Sequence, residues 1–91
     1  MNVHVVKSWP KFFGPISKYE RVHELRVHDR DYKVDDVLVL REYDERLDLY
    51  TSRTCIATIT SMTSETNPCA VSNIGLTPGY CILSIHVEES W

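Results

Sequence analysis

Ninety-one residues suit a single domain, spanning 1–91, and 43% hydrophobic with 25% charged residues give enough apolar side chain for one modest core and exclude a wholly disordered chain. No apolar run approaches the ~20 residues that cross a bilayer and the N-terminus has no basic-then-apolar leader, so a cytoplasmic protein without membrane contact is expected. Ten basic against thirteen acidic residues leave a net charge of −3, which excludes the broad phosphate-seeking field of a strongly basic nucleic-acid binder.

In chain order, Asn2 to Lys7 is short and rich in valine and predicts an opening strand that carries His4. Trp9-Pro10 follows, with Pro10 suited to a first helical position. Gly14-Pro15 limits what comes next to one or two short helical turns before Glu20. Trp9, Phe12, Phe13 and Ile16 are expected to plug one end of a barrel. Val22 to Val27 alternates, with His23, Leu25 and Val27 on one side and Val22, Glu24 and Arg26 on the other. Asp29 to Asp36 is a polar turn. Val37 to Tyr43 opens on four aliphatics, the pattern of a strand covered on both faces. Asp44 to Asp48 reads as a charged connection, and Arg53 to Met62 as a threonine- and isoleucine-rich strand. Ser64 to Gly75 reads as a long loop, Thr77-Pro78-Gly79 as a turn and Tyr80 to Val87 as the last strand. The charge is uneven: from Thr54 to Val87 only Glu65 carries one, so the first half holds the electrostatics. Cys55, Cys69 and Cys81 form an odd set without C-x-x-C spacing, which fits reduced thiols.

An ordered series of segments resembles one family. Glu24-Leu25-Arg26, Asp29-Arg30-Asp31, the run from Val34 to Tyr43, and Tyr50-Thr51-Ser52-Arg53 follow one another after a strand with His4 and a segment with Phe12 and Phe13. Gly79-Tyr80 then opens a strand continuing through Ile82, Leu83, Ser84 and Ile85. Together, over roughly residues 3 to 87, these are similar to the small family called domain of unknown function 3850, itself similar to ASCH domains of the PUA-like superfamily. The resemblance implies an α+β, mainly β fold: a small mixed β-barrel of five or six strands with one or two short helices. It also implies kinship with RNA-associated domains, in whose ASCH members the strand matching Glu24–Arg26 borders the ligand cleft.

Glu24 and Arg26, two apart on a strand, share a face. A carboxylate reads donor edges and a guanidinium fork suits phosphate or a base edge, although a buried ion pair fixing the barrel explains both residues equally well. Arg30, Arg21 and Lys33 are further candidates for an anionic ligand, with Asp29 and Asp31 as solvated turn residues. Tyr43 and Tyr50 are candidates for stacking on bases. His4, His23, His28 and His86 lack metal-ligand spacing, and no nucleotide-binding glycine motif or nucleophile elbow is present, so neither metal nor cofactor is expected.

These readings lead to a non-catalytic RNA- or nucleotide-binding module with a cleft beside the Glu24–Arg26 strand. The resemblance also suggests a small acidic phage or mobile-element accessory protein. That protein would bind or inhibit a basic host protein through Asp29, Asp31, Asp35, Asp36, Asp44, Glu45 and Asp48. A third alternative is an amidohydrolase on a modified nucleoside. Amidohydrolase members of the ASCH superfamily carry Gly-x-Lys-Thr before the strand arginine. Placing Arg26 on that arginine puts Tyr19, Arg21 and Val22 at those positions, which removes both the activating amine and the hydroxyl. Lys18 with Thr51 or Ser17 is the remaining lysine–hydroxyl pairing, and no catalytic residue is assigned.

Overall fold

The computed structural model describes residues 1–66 and 76–91. Its elements are β1 (Val3–Ser8), α1 (Pro10–Ser17), β2 (His23–Val27), β3 (Val37–Asp44), β4 (Leu49–Ser64) and β5 (Tyr80–Ser90). They form one five-stranded sheet in the order β1-β3-β4-β5-β2, with β1 parallel to β3 and every other pair antiparallel. The fold is mainly β with one short helix. Most of the expected loop at Ser64–Gly75, and Cys69, lie outside the described residues. Among the described residues no helix is long and apolar enough to cross a membrane.

The sheet curls into a half-barrel. β4, 16 residues long, pairs with β3 along its first part and with β5 along its second. Register shifts at Arg41/Tyr43, Ile56/Ala57 and Ile59/Ser61 supply the local kinks that bend a sheet of this length. The inward positions of β1 and β3 meet in register as His4↔Leu38, Val6↔Leu40 and Ser8↔Glu42. Leu38, Leu40, Cys55, Ala57, Ile59, Cys81, Leu83, Ile85 and Val87 make the core, with Phe13 and Ile16 of α1 closing over it. Burial pushes the Cys55 thiol up to about 11, so it sits in the core as a small apolar group rather than a nucleophile.

The helix runs from Pro10 to Ser17, about two turns and so within the expected length, with Gly14-Pro15 inside it. In so short a helix Pro15 forfeits little, and its carbonyl takes the Glu20 and Arg21 amides (2.9 and 3.2 Å), closing the turn that follows. Tyr19 completes that turn in the left-handed region at φ 63°, a conformation glycine adopts with less strain. Two expectations need correction. Trp9 is 50% exposed and Phe12 only half-buried, so Phe13 and Ile16 alone of the four aromatic and aliphatic candidates form the plug. Secondly, β3 is covered on one face only: Leu38 and Leu40 are buried, while Val37 and Val39 are half-exposed on the outer face.

The end of the barrel opposite α1 is tied by Asp36. Its carboxylate accepts the Asn2 amide (2.9 Å), His4 Nε2–H (2.8 Å) and the Lys33 amide (3.1 Å), and it is 3% exposed. These donors, the Asn2 amide foremost and His4 next, hold the Asp36 carboxyl below its ordinary 3.8. A carboxyl with a depressed folded-state value stabilises the fold above its unfolded value and loses that contribution as pH falls through the folded one. Asp36→Asn is therefore expected to melt well below the parent at pH 7. The gap should narrow as pH drops below 3.8, in circular-dichroism melts run from pH 7 to 2. A gap that stays constant across that range would remove Asp36 from the acid response.

Candidate functional site: a cleft between the two sheet edges

β1 and β2 are the outer strands of the sheet, and the curl brings them face to face. The contact that spans the gap is Arg26 Nη1 donating to the Lys7 carbonyl at 3.3 Å. Tyr32, 3% exposed and 4.8 Å from the His4 ring, fills one end of this seam. Burial raises the Tyr32 phenol above its ordinary value, and the neighbouring Arg26 guanidinium pulls it partly back. The other end stays open as a cleft of about 540 Å³, within the usual size of small-molecule sites.

Strand parity explains which side chains reach this cleft. On β2 the apolar residues face outward, with Leu25 56% and Val27 53% exposed, while Glu24 is buried and Arg26 half-buried. The alternation read from the sequence is correct in period and opposite in sense to ordinary amphipathic packing. Glu24 Oε2 takes Arg26 Nη1–H at 2.8 Å, so the pair is a real ion pair and also a wall of the cleft. The β1–α1 junction supplies the opposite wall through Lys7, Ser8, Trp9 and Phe12, and Tyr80 of β5 contributes to the rim. Trp9 and Phe12 stack with centroids 6.3 Å apart, and the Arg21 guanidinium lies 4.8 Å over the Phe12 ring.

Buried polar atoms are normally hydrogen-bonded. Among the described residues, the buried side-chain atoms left without a partner are Ser8 Oγ and Arg21 Nε, and both residues line this cleft. Ser8 is 4% exposed. The structure thus concentrates its unspent hydrogen-bonding capacity in the same cleft as a buried carboxylate–guanidinium pair.

Of the residues singled out from sequence, Glu24, Arg26 and Arg21 line the cleft together. Arg30 and Lys33 do not: both are exposed on the β2–β3 connection, where Lys33 pairs with Asp31 at 3.4 Å. Tyr43 and Tyr50 lie outside the cleft on the outer face of β3 and β4, edge to face at 5.1 Å. Ser17 and Thr51 join a separate polar cluster. There Thr51 Oγ1–H donates to the buried Glu42 (2.6 Å), Arg53 lies 3.5 Å from the same carboxylate, and Arg53 donates to Ser17 Oγ at 3.2 Å. Its cation is a guanidinium, which stays protonated, and the exposed Lys18 takes no part. Lys7, Ser8 and Tyr80 escaped sequence reasoning. Ser8 carried a usable signal, because a polar residue two positions after Val6 on the inward side of β1 needs either a partner or a ligand.

The acidic residues fall into separate groups. Asp36 and Asp44 are buried, Asp44 accepting the Arg46 amide at 3.0 Å. Asp29, Asp31 and Asp35 sit before β3, and Glu45 and Asp48 follow it, so an eight-residue strand of roughly 25 Å separates the two sets. Among the described residues no group of three or more His, Cys, Asp or Glu is placed to hold a metal ion.

A comparison with curated proteins gave no match. The residues that build the cleft, from Lys7 to Tyr80, all fall inside the span 3–85 over which the chain matches the family described as Domain of unknown function (DUF3850), and the chain belongs to that family.

Proposed function

We propose that the chain is a non-catalytic module that takes an RNA base or nucleotide-like ligand into the cleft beside the Glu24–Arg26 strand. The observation that carries this reading is the pair of unsatisfied buried groups, Ser8 Oγ and Arg21 Nε, set against an ion pair and an aromatic wall. A planar heterocycle matches that combination: Trp9 and Phe12 offer a stacking wall, Ser8 and Glu24 read polar edges, and Lys7 and Arg21 meet the phosphate. The resemblance to ASCH domains read from the sequence implies the same ligand class. Arg30 does not belong to this role, because it stands off the cleft.

Binding is favoured over hydrolysis on chemical grounds. Arg21 and Arg26 remain protonated and cannot act as bases, and the Ser8 hydroxyl has no base within hydrogen-bonding reach. The alternative of an acidic face for a basic host protein draws less support, since two of its aspartates are buried and the others are divided between opposite ends of β3.

Amide NMR titration of the labelled chain with the four nucleoside monophosphates tests the reading. Shifts are expected at Lys7 to Phe12, Arg21 and Glu24 to Val27, and Arg21→Ala is expected to weaken binding about tenfold, the loss of one charge-assisted hydrogen bond. A flat spectrum at millimolar ligand would sink the proposal, and product signals after acetylated cytidine is added to the same sample would replace it with an enzyme.

A further inference from the structure

We infer that the ligand is a single strand of nucleic acid of two or more nucleotides, with one base in the cleft and its neighbour on the outer face of β1, β3 and β4. This rests on the cleft reading above and extends it along a second surface. Lys7 and Arg41 are register partners across β1 and β3, and Tyr43 and Tyr50 are register partners across β3 and β4. All four side chains belong to the outer face. Lys7 Nζ stands 4.2 Å from the Tyr43 ring centre and the Arg41 guanidinium 3.9 Å from that of Tyr50, while the two rings meet edge to face. The Tyr43 hydroxyl donates to Asp48, which fixes the ring in this position.

Two features select a nucleic-acid strand as the occupant. The first is charge: among the described residues neither Lys7 nor Arg41 pairs with a carboxylate, in a chain with three more acids than bases. Cations laid over aromatic rings and free of a salt bridge present phosphate-binding donors and base-stacking faces together, the combination that single-strand binders use. The second is continuity. Lys7 lines the cleft and also covers Tyr43, so one residue belongs to both surfaces and sits where a phosphate linking two nucleotides would pass. Neighbouring strands are ~4.8 Å apart, which places Arg41 and Tyr50 one and two strand spacings from the cleft wall. A lone mononucleotide in the cleft leaves this patch unused.

The test compares nucleoside monophosphates with single-stranded tetranucleotides of the same base, by NMR titration and fluorescence anisotropy on the parent chain and on Arg41→Ala. Tetranucleotides are expected to bind on the order of tenfold tighter than monophosphates, with a steeper salt dependence, by about 0.7 in log–log slope for each added phosphate contact. Arg41→Ala is expected to remove most of that gain and to leave monophosphate affinity where it was. Tyr50→Ser is expected to weaken the tetranucleotide, with folding verified by circular dichroism. If monophosphates shift Ser8 and Arg21 while the tetranucleotide gains nothing, or if Arg41→Ala weakens both ligands alike, this inference is overturned and the cleft reading stands. If neither ligand binds, both fall.

Discussion

Arg26→Ala is expected to lower the unfolding free energy by about 2–3 kcal/mol, a large fraction of the stability of a domain this small. Three losses combine. The Glu24 carboxylate, its side chain 7% exposed, is left inside the half-barrel without its cation. The Lys7 carbonyl loses the donor that bridges β1 and β2, and Tyr32 loses the guanidinium beside its phenol. Among the described residues β2 pairs with β5 alone, so little else holds its other edge against β1. The Arg26 side chain is 23% exposed, which places the effect below that of a fully buried pair. Urea unfolding followed by circular dichroism measures it. The double variant Glu24→Leu/Arg26→Met should recover most of the loss, because an apolar pair leaves no orphaned charge. A single variant as stable as the parent would show that the ion pair does not hold the seam. The double variant also separates the structural role of these residues from the proposed one: it should fold, and it should fail to bind nucleotide.

Local pattern carried the fold well. β1, β3 and β5 were legible from runs of valine, isoleucine and leucine to within a few residues, since β-branched and aliphatic side chains favour the pleated backbone and these strands bury one face. β4 begins four residues earlier than its threonine-rich stretch suggested, at Leu49. The polar run before it is a tight turn, closed by Asp44 accepting the Arg46 amide and by Asp48 at φ 52°, so pairing resumes at once as Leu49↔Asp44 and Tyr50↔Tyr43. The candidate site was legible only in part. Glu24 and Arg26 could be placed on one face, but hydropathy assigns a charged face to solvent, whereas the curl turns this one inward. Nothing local to β2 announces that curl; it arises from bulges in β3 and β4, strands distant in sequence. The same closure brings Ser8 and Trp9 of the first strand and its exit opposite residues fifteen or more positions later, a juxtaposition without a sequence period. Tyr43 and Tyr50 show the limit from the other side: their chemistry suits a base, but strand parity places them on the outer face and not in the cleft, which composition does not reveal.

Adjacent aromatics on α1 give the second large effect and its control. Phe13 is fully buried between the helix and the sheet, with the Arg53 guanidinium 5.0 Å from its ring, and α1 packs on β3, β4 and β5. Phe13→Ala leaves a cavity that an eight-residue helix, anchored otherwise by Ile16, cannot close by shifting. The expected loss is about 3–4 kcal/mol, and thermal melting should fall by roughly 15 °C or more for a chain of this length. Phe12 points the other way, half-buried against Trp9 and Arg21 on the cleft. Phe12→Ala is expected to cost no more than about 1 kcal/mol of stability, because its ring is already partly in water. Nucleotide-induced shifts at Arg21 and Trp9 should nevertheless weaken strongly in Phe12→Ala. Equal melting temperatures for the two variants would refute the division of α1 into a core face and a cleft face. The helix would then no longer be what positions the aromatic wall, and the cleft would have to be defined by the β1–β2 seam alone.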